Sequence, residues 1–72
     1  VSGHFPVCNA REVIQVLKKH GFAIISQKGS HQKWRHANGR QVIVAMHGGK
    51  PIPIGTLKSI IEGSGLSVEE FR

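Results

Sequence analysis

From Asn9 to Gly21 the apolar positions recur at helical spacing: Ala10, Val13, Ile14 and Leu17 share one side, while Gln15, Lys18 and Lys19 face the other way. Asn9 is placed to accept from the first free amides, Glu12 three residues later completes a capping box, and Cys8 just before can pack on Val13 as a staple. Gly21 is the expected left-handed stop, and the basic residues before it suit the negative end of a helix dipole. These signals predict a first helix over Ala10 to His20.

The period then shortens. Phe22 to Gln27 is a brief β-branched run bounded by glycine, which predicts a strand, and Gly29-Ser30 turns the chain. His31 to His36 alternate, so Gln32, Trp34 and His36 share one face and His31, Lys33 and Arg35 the other. Trp34 is the large apolar residue and is expected in the core, which leaves His31, Lys33 and Arg35 outside. Asn38-Gly39 is a hairpin signal, because both residues tolerate positive φ and the flanking segments read as strands. The third strand, Arg40 to Met46, sets Val42, Val44 and Met46 against Ile43, Ala45 and His47. With the first set inward, His47 is expected to join His31 on the open side.

His47 to Ile54 reads as a loop, since Pro51 and Pro53 donate no ladder hydrogen bond. A second helix is predicted from Gly55 or Thr56, with Leu57, Ile60 and Ile61 at core spacing and Gly63-Ser64-Gly65 as its end. Ser67 to Phe71 starts like another capped turn, with Phe71 packing back. The fold class is therefore α+β: helix, three-stranded antiparallel sheet, helix, with both helices on one sheet face and the other face open. This is the order of elements in double-stranded-RNA-binding domains, although fold alone does not establish function.

With 72 residues the chain has room for one small domain over 1–72, of which 1–8 are extended and Val1-Ser2-Gly3-His4 resemble a cloning remnant. Ten Lys and Arg against four Asp and Glu give a net charge of +6, and a small basic domain of this kind usually meets a polyanion, most often nucleic acid. One cysteine, Cys8, excludes an internal disulfide and a cysteine-based zinc site. No apolar run approaches the ~20 residues of a membrane span and no signal peptide is visible, so a cytoplasmic protein with no membrane contact is expected.

The stretch most suited to chemistry is Lys28-Gly29-Ser30-His31, a basic turn with a histidine where the backbone changes direction. Joined to Gly21-Phe22, Asn38-Gly39-Arg40, Val42-Ile43-Val44, His47 and Gly55-Thr56-Leu57-Lys58-Ser59-Ile60, it resembles the HicA, or YcfA-like, toxin family of prokaryotic toxin–antitoxin systems, over about Asn9 to Phe71. Ala45 stands where that family often has proline. The resemblance implies a small mRNA interferase with a double-stranded-RNA-binding-like fold, held inactive by a HicB antitoxin that covers the active histidine, here His31.

RNA carries its own nucleophile, the 2′-hydroxyl, so its cleavage needs groups to move protons and cations to offset charge on the phosphorane. On this reading His31 is the general acid or base, and Lys28, Lys33 and Arg35 bind phosphate. The second proton-transfer group is left among His47, by its predicted face, and Ser30 or Lys28, by proximity. Neither metal nor cofactor is expected, because Glu12, Glu62, Glu69 and Glu70 lie away from the histidine-bearing strands and His36 falls on the opposite face. The free protein is expected to be a monomer, with higher-order assembly in complex left open. Two other classes use the same residues: a non-catalytic RNA-binding module, and a pure interaction domain for an acidic protein.

Overall fold

The computed structural model describes residues 5–72, so the expectation for Val1 to His4 falls outside the described residues. The elements in order are α1 (Ala10–Lys19), β1 (Ala23–Lys28), β2 (His31–Arg35), β3 (Gln41–Ala45), α2 (Ile54–Ser64) and a single 3-10 turn (Val68–Phe71). The strands form one antiparallel sheet in the order β1-β2-β3.

The ends of α1 are built from local sequence. The Glu12 amide donates to Asn9 Oδ1 and the Asn9 amide to Glu12 Oε1, both at 2.9 Å, which is the expected capping box. His20 is the C-cap rather than the last helical residue. Beyond it Gly21 takes φ 91°, and the amides of Gly21 and Phe22 donate to the carbonyls of Lys18 and Leu17. This Schellman arrangement drops Phe22 into the core instead of into β1.

The core is one cluster in which Val13 and Leu17 of α1 and Leu57, Ile60 and Ile61 of α2 meet Trp34, Val42 and Val44 of the sheet, with Phe22 and Phe71 closing its ends. Because the buried strand residues all have the same parity, both helices lie on one sheet face and the other stays open. At Gly63 an added Cβ would stand 3.2 Å from Val42 Cγ1, so the glycine lets α2 approach β3 closely. Cys8 is buried, its Sγ donating to the Phe71 carbonyl at 3.3 Å, and burial, helped by the Glu12 charge, pushes its thiol pKa above the usual 9.0.

Several local expectations change. The loop between β2 and β3 is longer than a two-residue Asn-Gly turn: the His36 amide donates to the Arg40 carbonyl at 2.8 Å, and of Asn38 and Gly39 only Gly39 adopts positive φ. Asn38 instead accepts from the Arg40 amide through Oδ1 at 2.9 Å, the local side-chain bond that makes asparagine a turn residue. Helix α2 begins at Ile54, with the Leu57 amide donating to the Pro53 carbonyl at 2.9 Å, and Ser67 makes no side-chain cap before the 3-10 turn. Lys18 is exposed as its place on the polar side of α1 implies, and its Nζ lies 5.8 Å from the centroid of the Trp34 ring.

Candidate functional site

The tip of the β1–β2 hairpin holds the site. Lys28 and His31 pair directly across the two strands, with only Gly29 and Ser30 between them. Gly29 takes φ 60° and Ser30 does not, which matches the glycine-first requirement of a type II′ turn and the twist of the strands it joins. The Ser30 carbonyl accepts from the Met46 amide at 2.7 Å, and this bond continues the β2–β3 ladder past its last named pair. On the core side, Trp34 Nε1 donates to Gln32 Oε1 (3.1 Å), Gln32 Nε2 to Gln27 Oε1 (3.4 Å) and Gln27 Nε2 to the Gly29 carbonyl (3.2 Å). The hairpin that presents His31 is thus tied to β3 by backbone and to the buried tryptophan by a chain of amides.

On the open face the side chains stand in rows, because directly paired residues share a face. One row is Lys28, His31 and Ala45; the next is Ser26, Lys33 and Ile43; the last is Ala23, Arg35 and Gln41. The first two rows enclose an open pocket of about 340 Å³ lined by Ser26, Lys28, His31, Lys33 and Ile43.

A bulge decides the β1 contribution. The register slips between Ile24, opposite Trp34, and Ser26, opposite Lys33, leaving Ile25 as the extra residue. Uninterrupted alternation would have set Gln27 against His31; the bulge substitutes Lys28 and brings Ser26 onto the same face. Nothing in a period-2 reading of Ala23 to Lys28 signals this, so Ser26 has no forerunner among the sequence candidates. Ile43 was already legible as open-face by alternation, although its apolar side chain hid its relevance.

The remaining candidates are placed differently from one another. Arg35 shares the open face as expected but lies outside the pocket, roughly 13 Å along the strand from His31 at about 3.3 Å per residue. Ser30 sits in the turn and does not line the pocket. His47, expected by alternation to join His31, is not among the residues that line the His31 pocket. Strand β3 ends at Ala45, and His47 lines a separate recess of about 210 Å³ with Ala45, Ile52, Pro53, Thr56 and Ile60. The cause is the next segment: Pro51 bridges to Asn9 and the Ile52 amide donates to the Cys8 carbonyl at 2.8 Å, so the chain leaves the sheet for the start of α1. His36 packs its ring edge-on to Phe22, centroids 5.1 Å apart, and accepts from the Asn38 amide through Nδ1, which commits it to the loop.

The face is electrostatically one-sided. Among the described residues the carboxylates with basic partners are Glu70, 3.0 Å from His20 Nε2, and Glu69, 2.7 Å from Arg72, so Lys28, Lys33 and Arg35 pair with no carboxylate. Among the described residues no three His, Cys, Asp or Glu side chains converge as a metal-holding group, and no helix is long and apolar enough to cross a membrane. A base, an ammonium pair, a hydroxyl and one apolar side chain in an open concavity form a set that can hold a phosphodiester and move a proton on it.

Comparison with curated proteins finds no match. A family model described as the HicA toxin of bacterial toxin–antitoxin systems matches residues 10–66, from the first residue of α1 to just past α2, and takes in every residue of the pocket. With most of its length covered by that match, the chain belongs to the HicA toxin family.

Proposed function

We propose that this toxin is a metal-independent endoribonuclease acting on mRNA, with His31 as its general acid or base. The observation that carries the reading is the direct pairing of His31 with Lys28, beside Lys33, in one pocket of a face that carries no acid. In the role of base, His31 takes the proton from a ribose 2′-hydroxyl, whose oxygen attacks the adjacent phosphorus. The P–O5′ bond breaks, the departing O5′ receives a proton, and the products end in a 2′,3′-cyclic phosphate and a 5′-hydroxyl. Lys28 is the best-placed donor for the leaving oxygen, being opposite His31; Lys33 offsets charge on the non-bridging oxygens, and Arg35 holds phosphate farther along the strand.

A HicB-like antitoxin covering the open face would hide charge and His31 together, which suits a cytoplasmic pair in which toxin is held inactive. Labelled RNA incubated with the wild-type protein and with His31→Ala, each with and without chelator, tests the reaction. Cleavage by wild type that persists in chelator and disappears in His31→Ala is the expected result. A folded His31→Ala protein that still cuts, or cutting restored only by a divalent metal, overturns it. Salt-sensitive binding of intact RNA would indicate the non-catalytic module instead.

A further inference from the structure

We propose that Ile43 is the platform for one unpaired nucleotide held beside His31, so that the pocket selects single-stranded over duplex RNA. This rests on the nuclease reading for its substrate, but on different residues. Ile43 is 54% exposed in the middle of β3, on a face whose other pocket residues are a serine, a histidine and two lysines. It pairs directly with Lys33 and stands diagonal to His31, on the order of 7–8 Å away for such neighbours. The row beside it ends in Ala45, whose short side chain leaves the floor next to His31 low.

The arrangement has two chemistries side by side. Lys28 and Lys33 suit a phosphate, whereas the aliphatic side chain of Ile43, beside Lys33 on the neighbouring strand, suits the flat side of a base or the carbon face of a ribose. A volume of about 340 Å³ is enough to admit one nucleotide unit. A base inside an A-form duplex presents no face to a flat sheet, and its deep major groove is closed to side chains. Only a nucleotide already out of the stack can lie on Ile43 with its phosphate between the lysines.

The test uses Ile43→Thr, which keeps the β-branched shape that strands favour while removing apolar surface, with Ile43→Val as the conservative variant. Ile54→Thr is the control, because Ile54 is 62% exposed and lies on α2, away from the pocket. Binding is read by fluorescence anisotropy with a labelled single-stranded 2′-O-methyl oligonucleotide, which cannot be cleaved by this route, and with its duplex. Cleavage of the matching RNA is read separately. The expected result is a three- to tenfold weakening, to within about a factor of two, of single-strand binding by Ile43→Thr.

Ile43→Val and Ile54→Thr should bind as wild type does, the duplex should bind more weakly and without dependence on residue 43, and the salt slope should be unchanged because no charge is lost. In cleavage, KM should rise by a similar factor with kcat nearly constant. Unchanged single-strand binding by Ile43→Thr, or equal dependence on residue 43 for duplex, overturns the proposal. So does a loss confined to binding of a protein partner. If RNA is bound with this dependence but never cut, the platform stands and the nuclease reading falls; if RNA is cut without it, the reverse holds.

Discussion

Strand β2 contributes to two faces that differ in almost everything except their backbone. Inward, Trp34 is 4% exposed, lies between the cross-strand residues Ile24 and Val42, and receives a lysine over its ring. Outward, one residue away on either side, Lys33 and Arg35 meet neither helix nor carboxylate, and His31 opens onto solvent at the hairpin tip. The inner face holds the strand in place by burial; the outer face uses the resulting rigidity to present unpaired charge. Stability and chemistry are thus separated by side-chain parity rather than by distance along the chain.

That separation is breakable from either side. Trp34→Ala should have the largest effect, costing about 3–5 kcal/mol for an aromatic removed from a core. A domain of this length holds only about 4–11 kcal/mol in all, so the variant should lose its cooperative melting transition and its cleavage together. His31→Ala should do the opposite: a 10²- to 10⁴-fold fall in cleavage rate, roughly, with melting within about 0.5 kcal/mol of wild type. If His31→Ala instead melted as Trp34→Ala does, the two faces would not be separable.

Lys28→Met should lower cleavage about tenfold and reduce by about one the slope of log binding constant against log salt, since one phosphate contact is lost. Gln27→Met is the informative companion, because an unbulged strand would have placed residue 27 beside His31; it should leave the salt slope unchanged. The smallest effect is expected far from both faces. Asn9→Ala removes half of the capping box and should lower stability by about 1 kcal/mol in thermal or denaturant melts, with kcat unaltered.

Much of this fold is written in short-range pattern. Asn9, Glu12 and Gly21 mark the ends of α1 because capping bonds join residues only a few positions apart. Alternation through Trp34, Val42 and Val44 assigned the inner face, and with it the outward position of His31, Lys33 and Arg35. The glycine–serine–histidine turn and its surrounding motifs also pointed to the HicA toxin family, which the match over residues 10–66 shows.

What the tertiary structure decided lies where periodicity is interrupted. Whether Gln27 or Lys28 stands beside His31 depends on a one-residue bulge at Ile25, and a bulge is a property of two strands in register, not of six residues in a row. His47 lines a recess apart from the His31 pocket, where the chain past β3 is held by Pro51 and Ile52 to Asn9 and Cys8, contacts more than forty residues apart in the chain. The sequence by itself therefore determined the elements, the inner face and the histidine at the turn. Cross-strand pairing and loop docking, which depend on distant partners, determined that the histidine's neighbours are Lys28, Ser26 and Ile43.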